Sequence, residues 1–442
     1  MSSKNKTTAM TGEKKPTLVP KLRFPEFQSA GDWTTVKLGA IATICTEKVG
    51  KNICVPMSIT SGVGLVSQEE KFGRVIAGDS YRNYLLLKPY DFAYNKSATK
   101  EYPEGFLTLY SGTELAAVPN SIFTCFRING ESPDALFLNY QFSDNIHGRW
   151  LRKFIQVGAR AHGSLSINDS DLMALPVPIP TGTTPLAEQQ KIAECLSSLD
   201  ELITAQARKV DALNTHKKGL MQQLFPREGE TLPSFRFPEF QKEGNWKVLP
   251  LAVLTDKIMV GIASAATHAY RETGVPMLRN LNIKESGIDD SSLLYIDPTY
   301  EATHKNKRLR AGDVITVRTG YPGLSAVVTK PFENAQCFTS LITRPKADIL
   351  DSNYLCLYIN SPIGKKFMLG AEAGGAQKNV NAGALETLEV YLPQLEEQRK
   401  IATSFSSLDA LIAAETQKLE ALKTHKKGLM QQLFPSSEEV EA

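Results

Sequence analysis

From Ile192 onward, apolar or long side chains recur at alternating steps of four and three: Ile192, Leu196, Leu199, Ile203, Gln206, Val210, Leu213, Lys217, Leu220 and Leu224. This spacing keeps one stripe of a helix turned toward a partner helix and is the seam of a coiled coil. The rhythm returns at Ile401, Phe405, Leu408, Ile412, Glu415, Leu419, Leu422, Lys426, Leu429 and Leu433. Both stretches run free of proline until Pro226 and Pro435, which end them. About 39 helical residues span roughly 60 Å at 1.5 Å per residue, too long a stripe for one small domain to cover. The simplest partner for each helix is the other, in an antiparallel pair. A register with Lys217 opposite Glu415 and Gln206 opposite Lys426 would match the polar seam positions; the bland alternative is that these side chains snorkel at the seam edge. Gly219 and Gly428 fall inside the helices, so either the last turns fray there or another backbone comes close.

The two helices are copies. Over 186–226 against 395–435 there are 28 identities in 41 positions, and Thr215–Pro226 recurs unchanged as Thr424–Pro435. A second repeat stands apart from the helices: Leu22-Arg23-Phe24-Pro25-Glu26-Phe27-Gln28 returns as Phe235-Arg236-Phe237-Pro238-Glu239-Phe240-Gln241, each followed by a tryptophan, Trp33 or Trp246. A period near 210 residues is far beyond that of solenoids and marks a duplicated domain pair. Between the repeats lie two blocks, 34–184 and 247–393, alike in length and little alike in sequence. Whatever the repeats do is done twice; whatever the blocks do is done differently each time.

The blocks read as mostly β with some helix. Short runs such as Tyr84–Leu87, Ser121–Phe126 and Asp313–Arg318 are punctuated by Gly, Pro and Asn. Ala135–Phe142 and Ser352–Ile359 look like corresponding helices, each after an Asp, and each block closes on an apolar-Pro run (Leu175–Pro180, Leu388–Pro393). The boundaries follow: a flexible tail over 1–20, a first block with its opening motif over 21–184, a central helix over 185–226, a second block over 227–393, a C-terminal helix over 394–435 and an acidic tail over 436–442. The fold class is α+β, two mixed domains separated by two long helices in an antiparallel coiled coil with pseudo-two-fold duplication.

Composition adds boundaries more than identity. In 442 residues, 42% hydrophobic and 22% charged, no apolar run is long enough to cross a membrane, and Met1–Pro20 lacks the apolar core of a secretory signal. Six scattered cysteines without a Cys-x-x-Cys pair argue against zinc or a disulfide framework and fit a reducing cytoplasm. The net charge of +3 neither demands nor excludes nucleic acid, because binding needs only a local patch. The blocks are near neutral, +1 (14 basic against 13 acidic) over 34–184 and +2 (16 against 14) over 247–393.

No catalytic signature stands out. Walker A, Gly-x-Gly-x-x-Gly, Gly-x-Ser-x-Gly and His-Glu-x-x-His are missing; Gly370–Lys378 has the wrong spacing to cradle phosphate. There is no Asn/Asp-Pro-Pro-aromatic tetrapeptide, and Pro133-Asp134 reads as a turn ahead of a helix rather than a nuclease carboxylate. His216 and His425 sit in the repeated helices as surface or interface residues. The chain reads as a binding protein, not an enzyme.

The arrangement resembles a known family. Each long helix opens on a version of Leu-x-Glu-Gln-x-Lys-Ile-Ala, here Leu186–Ala193 and Leu395–Ala402, and two divergent blocks alternate with two near-identical helices. This is similar to the DNA specificity subunit of type I restriction–modification systems. Arg310–Gly320 resembles a recurring segment of that family's target recognition domains, and Lys88–Lys96 looks like its counterpart in the first block. The resemblance implies that each block is a target recognition domain reading one half of a split, asymmetric sequence in double-stranded DNA. It implies that the helices hold the readers apart and dock two methyltransferase subunits, with two motor-nuclease subunits completing the complex. S-adenosylmethionine, ATP and magnesium would belong to those partners and none to this chain. Antiparallel pairing of equivalent helices would invert the readers along one duplex, and helix length would set the half-site spacing.

Base edges and phosphates call for Arg, Lys, Asn and Gln on loops, with Ser, Thr and Tyr assisting. Candidates in the first block are Arg82, Asn83, Tyr94, Asn95, Lys96, Lys100, Arg160 and His162. In the second they are Arg279, Asn280, Lys305, Lys307, Arg308, Arg318, Tyr321, Gln377, Lys378 and Asn379. Arg318 and Lys96 stand first because each leaves a predicted strand beside Thr319-Gly320 or Ser97. Two competing readings stay open: a coiled-coil scaffold with two protein-binding heads and no DNA role, separable by salt-dependent retention on DNA, and a self-sufficient nuclease or methyltransferase, which would act as the isolated chain.

Overall fold

A computed structural model describes residues 18–60, 62–155, 165–227, 229–264, 266–320, 322–371 and 379–435. The chain divides into two compact units, one formed by residues up to 205 together with those from 419, the other by residues 206–418. Each long helix, Pro185–Leu224 and Leu395–Leu433, therefore contributes its first half to one unit and its second half to the other. No helix among the described residues is long and apolar enough to cross a membrane.

In the first unit, the strand Phe92–Asn95 lies between Phe123–Ile128 and Phe106–Leu109, antiparallel to both, with Ala42–Ile44 beyond the 123–128 strand. A second four-stranded sheet joins Gly64–Ser67, Val55–Thr60, Ala116–Val118 and Leu85–Leu87 in that order, and its 55–60 and 116–118 strands are parallel. The second unit repeats the plan: Thr255–Val260, Leu341–Pro345, Val314–Thr316 and Ser325–Val327 form one sheet, and Tyr270–Arg271, Leu294–Ile296, Val275–Leu278 and Gln336–Cys337 the other, again with one parallel pair. The first sheets of two blocks with little common sequence thus carry one topology, whereas in the second sheets the parallel pair is central in the first block and at the edge in the second. In each, a short antiparallel ribbon (Thr34–Lys37 with Pro176–Ile179, Lys247–Pro250 with Glu389–Leu392) brings the start of the block back to its end, at the head of a long helix.

The two repeated motifs interlock, which explains why they travel together. Arg23 grips Glu188 with two hydrogen bonds of 2.7 Å, and Arg236 grips Glu397 in the same way. All four side chains are almost wholly buried, and each arginine also donates to two carbonyls, Ala30 and Gly31 or Glu243 and Gly244. The glutamine that follows caps the block: Gln189 Oε1 accepts from the Asp134 amide at 2.7 Å, and Gln398 Oε1 from the Asp351 amide at 2.8 Å. Those aspartates in turn cap Ala135–Ser143 and Ser352–Asn360, the two helices the sequence predicted. Lys191 and Lys400 reach Glu26 and Glu239 and lie against the Phe24 and Phe237 rings.

The unchanged Leu-Phe-Pro ending has its own task. Leu433 and Phe434 enter the core of the first unit, where Phe434 meets Trp33 and Phe137 at ring distances of 6.4 and 5.5 Å. Leu224 and Phe225 enter the core of the second, beside Tyr354 and Tyr358 at 5.8 and 5.7 Å. Each block is closed by the end of the helix that does not follow it in the chain. The main chain seals the closure, with the Leu22 amide donating to the Gln432 carbonyl and the Phe235 amide to the Gln223 carbonyl, both at 2.9 Å.

All twenty seam positions, from Ile192 to Leu224 and from Ile401 to Leu433, are buried or half-buried. The pairing is antiparallel: Lys209 and Lys217 meet Glu415 and Asp409 in the second unit, and Asp200 meets Lys426 in the first. The register differs from the expected one. Lys217 faces Asp409, not Glu415; Gln206 donates to Glu415 at 2.7 Å instead of facing Lys426, which holds Asp200 at 2.6 and 2.7 Å. The Asp200–Lys426 and Lys217–Asp409 pairs are repeat equivalents of each other, so one register satisfies both. The aspartates lie beside the seam, not on it, so matching seam positions alone missed them. Gly219 and Gly428 neither fray nor meet another backbone: the helices continue through them, and an added Cβ would find open space.

One side chain separates the units. Tyr140, buried on the Ala135–Ser143 helix, donates to Asp200 at 2.9 Å and lies 3.1 Å from Ser197, with Lys426 over its ring. Leu357 holds the corresponding place on Ser352–Asn360 and has no hydroxyl; a groove of about 750 Å3 lies there, lined by Asn214, Lys218, Asn353, Leu357, Phe405 and Asp409 among others. Tyr140→Phe is expected to cost about 1–2 kcal/mol, since it deletes a hydrogen bond to a charged acceptor. Chemical denaturation should show the loss, and Leu357→Ala, which deletes no such bond, should not reproduce its dependence on Asp200.

Candidate nucleic-acid interface

The segment Lys88–Lys96 and the segment Arg310–Arg318 occupy equivalent strands and share a buried clamp. Asp91 and Asp313 are fully buried at the strand entrance, and each accepts from the amide three residues earlier, Lys88 or Arg310, at 2.8 Å. Each also takes two hydrogen bonds from an arginine on the neighbouring strand: Arg127 at 2.6 and 2.8 Å, Arg344 at 2.8 and 2.7 Å. These carboxylates hold the Arg127 and Arg344 cations above the usual guanidinium range. The residue before each aspartate, Tyr90 at φ 68° or Gly312 at φ 92°, turns through the left-handed region, a geometry glycine adopts freely. Five residues past the clamp stand Lys96 and Arg318. Their carbonyls accept from Leu165 and Val380 at 2.6 and 3.1 Å, so both strand exits are tied down alike.

Around Arg318 several candidates converge. Asn280 donates to the Thr319 carbonyl at 3.2 Å and lies 3.1 Å from its hydroxyl, while Ser340 donates to the Asn280 oxygen at 3.1 Å. Thr319 bridges Asn379 in a short antiparallel contact. Arg279 Nη2 donates to the Ser292 carbonyl at 2.8 Å. Among the described residues, three enclosed polar atoms here have no partner: Arg279 Nε, Arg318 Nε and Asn379 Oδ1. Asn280 is thus a brace, and Arg279, Arg318 and Asn379 are the residues with unused polarity.

Other candidates fare differently. Lys305 and Lys100 are exposed, as are Arg82 and Asn83 on the turn Asp79–Asn83, while Lys96 is half-buried. Lys307 donates to the Gly261 carbonyl at 2.8 Å. Three need correction. Tyr94 is fully buried and its hydroxyl donates to the Glu104 carbonyl at 2.7 Å; burial pushes its phenol well up. Asn95 is buried and accepts from the Ser97 amide at 2.7 Å. Both belong to an inner strand covered on its two faces, so the Tyr-Asn pair that reads as polar is core. Arg308 is spent on Glu301, with two bonds of 2.6 Å to a buried carboxylate that Gln336 also holds. Arg160, His162, Tyr321, Gln377 and Lys378 lie outside the described residues.

Residues 262–424, which include this strand exit and most of the second block, match the model of the type I restriction modification DNA specificity domain. Over that stretch the chain is similar to the DNA specificity domain of type I restriction–modification systems. Similarity reaches beyond that stretch: the chain is 26% identical over 337 residues to the putative type I restriction enzyme MjaX specificity subunit of Methanocaldococcus jannaschii, covering 75% of this chain and 74% of that one. It is 25% identical over 290 residues to the MjaVIII specificity subunit of the same organism, 64% and 66% of the two chains. In fold it is similar to the crystal structure of a type I S subunit from M. genitalium, with a TM-score of 0.56 at 14% identity over 95% of this chain and all of that one. A chain from a type I system studied for complex assembly and conformational transition gives 0.55 at 18% identity, over 92% of this chain and 98% of that one.

The residue pattern alone did not reveal the Asp–Arg clamps or the Thr319 and Ser340 braces. The signal was present for the clamps, since an acidic residue precedes Lys96 and Arg318 by the same five positions. Their arginine partners, 36 and 31 residues away, give no local pattern.

Proposed function

We propose that this chain is a type I restriction–modification specificity subunit, which reads a bipartite, asymmetric target in double-stranded DNA, one half with each block, and docks methyltransferase subunits through its paired helices. It thereby directs both methylation and, with two motor-nuclease subunits added, cleavage. S-adenosylmethionine, ATP and magnesium are assigned to two methyltransferase and two motor-nuclease partners, with no cofactor on this chain, and the complex works in the cytoplasm. One observation carries the reading: two blocks with the same first-sheet scaffold, clamped by the same Asp–Arg pair, end on different side chains, Lys96 in one and Arg318 in the other. A common frame with changed tips suits two readers of unlike half-sequences. Different base edges require different donors, while phosphate and positioning contacts can stay alike. Near-neutral blocks favour weak DNA binding by the isolated subunit, completed when partners close on the duplex.

Exchanging residues 34–184 for the block of a relative, then mapping methylated positions in a host carrying the methyltransferase, tests the reading. One half-sequence should change while the other half and the spacer stay as they were. A swap that leaves both halves unchanged sinks the proposal.

A further inference from the structure

We propose that Arg318 is a specificity-determining residue that reads a guanine through its O6 and N7. The inference rests on the reading that the second block binds DNA and adds the base and the atom pair. In this block Arg308 and Arg344 are spent on buried carboxylates, Glu301 and Asp313. Arg318 is half-buried and, among the described residues, its side chain meets neither a carboxylate nor a carbonyl. A partly desolvated cation without a counter-charge is costly to hold, and a ligand that presents acceptors relieves that cost.

The geometry selects the acceptor. Arg318 Nε is enclosed and, among the described residues, unpartnered, so recognition falls to the two terminal nitrogens of this half-buried side chain. Two end-on N–H groups match a pair of acceptors side by side, and in the major groove the guanine edge offers O6 and N7 in that arrangement. Thymine, cytosine and adenine each present at most one acceptor there. A phosphate contact would suit a long exposed side chain free to follow the backbone. Arg318 is instead fixed at its root, by the Val380 amide on its carbonyl at 3.1 Å and by the Thr319–Asn379 bridge, itself braced by Asn280 at 3.2 Å. Such preorganisation serves selection more than general attraction. Lys96, at the same place in the first block, carries a point charge that cannot fork.

The test uses the assembled methyltransferase with this chain in a host genome. The wild-type motif should hold a fixed guanine in the half assigned to the second block. Arg318→Ala should make that one position degenerate, lowering discrimination there about 10- to 100-fold, the range of a lost bidentate pair. Arg318→Lys should keep a weakened guanine preference. Even loss of methylation with an unchanged motif marks a phosphate contact and overturns the inference, as does relaxation at a position other than guanine. Should Arg318→Ala fail to assemble, 7-deazaguanine placed at that position decides with the wild-type complex: binding should fall about 10-fold, since one acceptor of the pair is removed, and unchanged binding refutes it. Absence of any methylation dependent on this subunit would instead strike the functional reading itself.

Discussion

Glu188→Ala is expected to cost about 3–5 kcal/mol of folding stability, because removing one member of a buried ion pair strands the other. Glu188 is 1% exposed and Arg23 is 8% exposed, so the guanidinium left behind could not rehydrate without opening the first unit. The loss extends to a third group. Trp33 Nε1 donates to Glu188 at 3.2 Å, whereas Trp246 Nε1, its repeat equivalent, has no acceptor among the described residues. Glu397→Ala should therefore be the milder of the two by about 1 kcal/mol, the net worth of one hydrogen bond. Urea denaturation of both variants checks the size and the order. Equal and small losses, below about 1 kcal/mol each, would show that the clamps behave as surface ion pairs.

Acid should weaken the first unit through His147. This histidine is 2% exposed and sits against the rings of Tyr94 and Phe142 at 6.1 and 6.3 Å. Burial pushes its pKa down to about 4 from 6.5, against the opposing pull of nearby Glu104. The folded state then binds fewer protons than the unfolded one between these values, and stability rises with pH across that window. The contribution is fully present above pH 6.5 and is lost as pH falls toward 4, by about 3 kcal/mol at 1.36 kcal/mol per pKa unit. His147→Phe should flatten that part of the stability profile, since a neutral ring needs no proton to unfold. A variant with the same pH slope as wild type would show that other groups carry it.

Much of the architecture was legible because local patterns carry it. The four-three rhythm from Ile192 and from Ile401 marks both long helices, and the internal repeat marks their equivalence. Asp134 and Asp351 announce the helices they cap. The register was not legible: it depends on Asp200 and Asp409, which flank the seam, and on Leu-Phe ends anchored in cores whose composition no helix sequence reveals. At the candidate interface, residue type identified Arg318 and Lys96. It could not tell Arg308, bound to Glu301, from Arg318, whose Nε has no partner among the described residues, because both are arginines beside polar neighbours.

By itself the sequence determined two helices, two copies, two unlike blocks and no recognisable catalytic motif. Periodicity and repetition are properties of neighbours along the chain. Only the tertiary structure decided that each block is closed by the far end of the other copy's helix, that one Asp–Arg clamp underlies both divergent blocks, and which polar side chains remain unspent. Those are outcomes of burial. A buried charge must find its partner wherever the fold brings one, at 36 residues' distance for Asp91 and 165 for Arg23, and a charge that finds none is left free to bind.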